Sequence, residues 1–207
     1  MISEMRIRSW CAVRSAATLA LCLQASVAIA HVGQGDIPGG FVAGVEHPVF
    51  GVDHVVAMIA VGIWGAQLGQ PAIWVLPVTF PLVMSIGGIL GGLGLPMPGI
   101  EIGIAVSAIV LGCMIALAAR PPLWVAAALV GTFAIFHGYA HGTELPDSAN
   151  AIAFAAGFVI ATGTLHALGI LIGVANKWRR GGQVLRVIGG GIAACGMYFL
   201  STHFVGG

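Results

Sequence analysis

Six stretches of about 20 apolar residues, each long enough to cross a lipid bilayer as a helix, occupy most of this 207-residue chain. They run roughly over 41–69, 72–93, 99–119, 122–142, 150–175 and 184–204. Short polar or proline-containing breaks divide them, at Gln70-Pro71, Leu95 to Pro98, Arg120 to Pro122, Glu144 to Asn150 and Lys177 to Gly182. Such a chain leaves no room for a soluble domain. Only 7% of its residues are charged, against roughly 25% in soluble globular domains, so it has too little polar surface to coat a particle in water. A mean hydropathy of +1.02 and 32 glycines suit helices packed closely in lipid. The expected fold is an all-α integral membrane protein, a bundle of six transmembrane helices in the bilayer. A net charge of +1 excludes the basic footprint that nucleic acid requires.

Ahead of the first stretch, Arg6, Arg8 and Arg14 precede an apolar run ending Ala28-Ile29-Ala30, the small-x-small pattern that signal peptidase reads. Residues 1–30 are therefore expected to be a cleaved signal peptide and 31–207 the six-helix membrane domain; the alternative is a retained first helix. Export of the leader places the mature N-terminus, and after six crossings the C-terminus, on the periplasmic side of a bacterial cytoplasmic membrane. All five basic residues after the leader, Arg120, Lys177, Arg179, Arg180 and Arg186, then fall inside, as the positive-inside rule demands. The acids Asp36, Glu46, Asp53, Glu101, Glu144 and Asp147 lie toward the outside. Pro48 and Gly51 near the start of the first stretch predict a short half-helix or re-entrant entry before a full helix.

An ionisable side chain inside a span costs roughly 3 kcal/mol on insertion scales, so such residues mark functional sites by default. They cluster twice: in His47-Pro48-Val49-Phe50-Gly51-Val52-Asp53-His54, and in Phe136-His137-Gly138-Tyr139-Ala140-His141-Gly142-Thr143-Glu144. His137 and His141 are four residues apart and share one helical face, where both can grip one ion. Asp53 and His54 point about 100° apart, so that one is a ligand and the other orients it. His47 stands two helical turns before His54 if that helix is unbroken. Glycines 51, 138 and 142 leave room beside the imidazoles. By the topology above both clusters sit in the outer half of the membrane and converge. Imidazole with carboxylate suits Ni, Co, Zn or Cu. Met58 and Met84 remain possible thioether ligands, and interhelical hydrogen bonding is the bland alternative for the histidines. Glu46 and Glu144 are either a cation-attracting mouth or solvated caps. His166, beside Thr162 and Thr164, is either a second ligand station or a satisfied interhelical contact. Glu101 is equally open, His203 reads as interfacial, and His31 as the new N-terminal residue. Cys113 and Cys195 read as small buried hydrophobes, and Gly87-Gly88 with Gly91-Gly92 as helix packing.

The His-Pro-x-x-Gly-x-Asp-His motif at 47–54, continuing into Val55 to Gly69, resembles the signature of the HupE/UreJ family of nickel/cobalt permeases. Phe136 to Glu144 is similar to that family's second signature, and Gly157 to His166 resembles its fifth helix. The resemblance implies a secondary transporter of Ni²⁺, or Co²⁺, serving hydrogenase or urease maturation, not an enzyme. The divalent metal is its substrate and no resident cofactor is expected. The implied metal-handling residues are His47, Asp53, His54, His137, His141 and Glu144, with His166 further along. Two other classes stay open on the residues alone. One is an intramembrane metal-dependent hydrolase built on His137-x-x-x-His141, although Gly138 stands where the His-Glu-x-x-His pattern puts its base. The other is a b-type haem electron carrier with paired axial histidines.

Overall fold

A computed structural model describes residues 40–144 and 151–205, and every regular element among them is helical. In chain order these are α1 (Gly40–Phe50), α2 (Val52–Leu68), α3 (Ala72–Gly92), α4 (Ile100–Leu117), α5 (Leu123–Thr143), α6 (Ala151–Gly173), a 3-10 turn (Val174–Lys177) and α7 (Gly181–Val205). Five helices are long and apolar enough to cross a membrane by themselves, the α6 span running on through the 3-10 turn, and α1 with α2 form a sixth apolar unit bent by 80° at Gly51. The expected interruption of the first stretch is therefore present. The leader lies outside the described residues, as do His31, Asp36 and Asp147.

Each boundary has a local cause. Gly69 takes a positive φ of 82° and returns its N–H to the Gly65 carbonyl, closing α2 before Pro71. α5 begins directly after Pro121-Pro122, where a proline's missing N–H costs nothing at a helix start.

Packing follows close backbone approach rather than amphipathic patterning. On α3, the side chains of Trp74, Val78, Leu82, Ile86 and Ile89 are exposed and apolar, as expected of a face turned to lipid. Its other face buries Leu76, Phe80 and Met84 against α5. There Gly87 lies against the Ile135 backbone, Gly91 against Tyr139, Gly138 against Met84 and Gly142 against Gly88. α4 pairs with α7 in the same manner, through Gly112 and Gly189. α6 packs along both α1 and α2. The most enclosed helix is α2, which touches α3, α4, α6 and α7 and contributes Met58, Val61, Ile63 and Trp64 to the core.

The two ends of the bundle differ in chemistry. At one end the α1–α2 break meets the end of α5, and the Tyr139 hydroxyl donates to the Leu95 carbonyl of the α3–α4 connection. At the other, Trp64 Nε1 donates to the Ala119 carbonyl (3.1 Å) and Arg186 Nε to the Ala116 carbonyl (2.8 Å). A cavity of about 160 Å³ opens at this second end, between Leu68 to Ala72 and Arg120, Pro121 and Leu123. Arg120, Lys177, Arg179, Arg180 and Arg186 are all exposed. The charge separation read along the chain is thus a separation between the ends of the folded bundle.

Candidate metal centre

Four imidazoles from three helices meet at the carboxylate end. The His54 ring centroid lies 4.3 Å from that of His141 and 4.8 Å from that of His137, and His141 lies 4.6 Å from His47. His54 and His141 are buried and His137 is fully enclosed. His47 Nε2 lies 3.0 Å from Glu144 Oε2, and ligand atoms of His47, His141 and Glu144 all fall within 4.8 Å of one another. All six residues expected in this centre are therefore together, with Asp53 attached through His54.

The bend at Gly51, the interruption that Pro48 and Gly51 led one to expect, builds this arrangement. His47 and His54 are not two turns apart on one helix; the 80° bend turns α1 aside, so His47 reaches His141 and Glu144 while His54 faces His137 and His141. Gly51 does leave room, since a Cβ there would press on His54 Nδ1 at 3.0 Å. The expectation for Gly138 and Gly142 fails: both face the backbone of α3 rather than the imidazoles. The i, i+4 spacing of His137 and His141 on α5 puts both rings on one face, as expected.

Hydrogen bonding sets which ring nitrogens are available. Asp53 Oδ1 accepts from His54 Nδ1 (2.8 Å) and from the His54 backbone N–H (2.9 Å). His137 Nδ1 donates to the Phe133 carbonyl at 3.0 Å. A carbonyl or an ionised carboxylate only accepts, so each ring carries its proton on Nδ1 and presents a lone pair at Nε2. Among the described residues neither Nε2 has a partner, and neither nitrogen of His141 has one. Asp53 thus orients the His54 ring and leaves its Nε2 free, the arrangement found behind metal-binding histidines. Asp53→Asn is expected to lower metal affinity about 10- to 100-fold, read by Ni²⁺ titration of the purified protein. Glu144, just beyond the end of α5, is held below the usual carboxylate range, chiefly by its hydrogen bond with His47, and stays ionised at neutral pH.

The remaining candidates lie elsewhere. His166 is buried deeper, with both ring nitrogens unpartnered, against Phe80. Glu101 pairs with His203, joining the start of α4 to the end of α7, apart from the cluster. Glu46 is exposed on α1. Met58 and Met84 belong to the apolar core, Cys195 is buried and Cys113 half-buried. Sequence reasoning passed over three aromatics. Phe158 stacks edge-on to His141 (4.4 Å), Phe154 lies 5.7 Å from His47, and Phe80 lies 5.4 Å from His137. The available signal was the four-residue spacing of Phe154, Phe158, Thr162 and His166, which lines up one buried face of α6.

A family model described as HupE / UreJ protein matches residues 19–199. Protein HupE from Rhizobium leguminosarum bv. viciae is 43% identical over 183 residues, covering 88% of this chain and 95% of that one. No solved structure matches. With its apolar helices, the chain is a multi-pass membrane protein that belongs to the HupE/UreJ family.

Proposed function

We propose that the protein imports Ni²⁺, or Co²⁺, across the bacterial cytoplasmic membrane for hydrogenase or urease maturation. The observation that carries this reading is the convergence of His54, His137 and His141, each with an unpartnered ring nitrogen, beside Asp53 and the His47–Glu144 pair. Interhelical hydrogen bonding, the bland role for such histidines, requires partners that these nitrogens lack. The six crossings count α1 with α2 as one span, follow a cleaved leader at 1–30, and put both mature termini in the periplasm. The histidine–carboxylate end then faces outward and the basic end inward.

Entry begins with the carboxyl groups of Glu144 and Glu46, which concentrate cations at the mouth. Histidine nitrogens replace part of the ion's hydration shell, with Asp53 holding His54 in the ligating tautomer. His166 takes the ion further along. The membrane potential supplies the drive: a divalent ion moving inward through 100 mV gains about 4.6 kcal/mol, more than a thousandfold in accumulation. No ATP step is needed.

The test is radiolabelled Ni²⁺ uptake by cells producing the protein, with Co²⁺ and Zn²⁺ as competitors. His54→Ala is expected to abolish uptake, and Co²⁺ to compete better than Zn²⁺; unchanged uptake in His54→Ala sinks the assignment. Uptake is also expected to fall as the external medium is acidified, because a protonated imidazole has no lone pair to give, while Glu144, held below the usual carboxylate range, keeps its charge at mildly acidic pH.

A further inference from the structure

Phe80 sits where the buried histidines would otherwise be continuous. Its ring is fully enclosed and meets His137 edge-on at 5.4 Å and His166 edge-on at 5.3 Å. On the far side, His166 is 2% exposed and neither of its ring nitrogens has a hydrogen-bond partner among the described residues. Thr162, one turn earlier on the same face of α6, is 0% exposed and its hydroxyl is likewise unpartnered. A helical threonine ordinarily donates back to the carbonyl four residues before it; Thr164 does so, to Ile160 at 2.8 Å. Thr162 does not. Two adjacent buried polar groups without partners are the exception in folded proteins, and a structural hydrogen bond therefore does not explain His166.

We infer that Phe80 divides the ion path into two stations, the histidine–carboxylate cluster on one side and an inner divalent-cation station of His166 and Thr162 on the other. The ion crosses by displacing the Phe80 ring. This rests on the transport reading and refines it.

One imidazole and one hydroxyl form a sparse ligand set that accepts an incompletely hydrated divalent ion and holds it loosely, as onward release requires. The Phe154, Phe158, Thr162 and His166 face of α6 runs from the outer cluster, where the two phenylalanines touch His47 and His141, to the inner station. The backbone around Phe80 suits a moving ring. Pro77 and Pro81 lie on either side of it within α3, and with no N–H on either, the carbonyls of Ile73 and Pro77 lose their helical donors. A hydrocarbon ring between two ligand sets also keeps weakly held, strongly hydrated ions from passing.

Two measurements on the full-length protein test this: cellular uptake of radiolabelled Ni²⁺, and equilibrium Ni²⁺ binding by the detergent-purified chain. His166→Ala is expected to lower uptake about tenfold or more while first-ion binding at the outer cluster changes less than about twofold. Thr162→Val, which preserves side-chain shape, is expected to lower uptake about three- to tenfold, and it decides the matter if His166→Ala does not accumulate. The wild type is expected to exclude Mg²⁺ and Phe80→Ala to admit it. Uptake in Thr162→Val within about twofold of wild type overturns the inner station, and continued exclusion of Mg²⁺ by Phe80→Ala overturns the partition. Wild-type protein that neither binds nor carries Ni²⁺ overturns the transport reading, and this inference with it.

Discussion

Replacing His141 with alanine is expected to reduce nickel uptake by about 100-fold or more, beyond the range typical of lost orienting partners. His141 is the shared member of the centre: its ring touches both His47 and His54, and it completes the group with His47 and Glu144. Without it the mouth formed by His47 and Glu144 no longer adjoins the His54–His137 pair. Neither ring nitrogen of His141 is bonded to the fold, so the variant is expected to insert and fold, losing ring contacts with His47, His54 and Phe158 but no hydrogen bond. Uptake normalised to the amount of protein in the membrane separates loss of function from loss of protein. Uptake within about tenfold of wild type would show that the outer cluster works without a continuous set of imidazoles.

The second large effect is structural. Gly138→Val is expected to cost about 3 kcal/mol or more, the upper end of overpacking penalties. A Cβ at this position falls on the Met84 carbonyl and within 3.0 Å of the Gly88 backbone nitrogen. Backbone cannot step aside as a side-chain tip can, so α3 and α5 must separate. That also moves Phe80 and His137, one on each of these helices. Gly163→Ala is the matched control: a Cβ there meets nothing within 4 Å, and alanine favours helix over glycine by roughly 0.5–1 kcal/mol. Thermal unfolding in detergent is expected to show a clear drop for the first and none for the second. Equal melting temperatures would refute the close α3–α5 packing.

The helices were legible because lipid imposes a local rule. Length and hydropathy of 72–93 and 122–142 predicted α3 and α5 to within a residue at each end, since an apolar helix in a bilayer satisfies its own backbone hydrogen bonds. The clusters at 47–54 and 137–144 were legible for the complementary reason, that ionisable residues are costly in lipid. Phe80 was not. An apolar residue in an apolar run carries no signal, because lipid-facing and core-facing positions have the same composition, and nothing local distinguishes Phe80 from exposed Leu82. The roles of Gly138 and Gly142 were misjudged on similar grounds, since a glycine beside a histidine in sequence faces another direction on the helix.

By itself the sequence determined the helical membrane class, the rough positions of the apolar spans, the gathering of basic residues at one end, and the two runs of ionisable residues that the fold brings together. Each depends on transferring a residue between water and lipid, a property the residue carries with it. Only the tertiary structure decided that the break at Gly51 turns His47 onto His141 and Glu144, and that Phe80 of α3 stands between His137 of α5 and His166 of α6. Those contacts join helices distant along the chain, and they depend on how closely glycine-lined backbones approach, which no local pattern encodes.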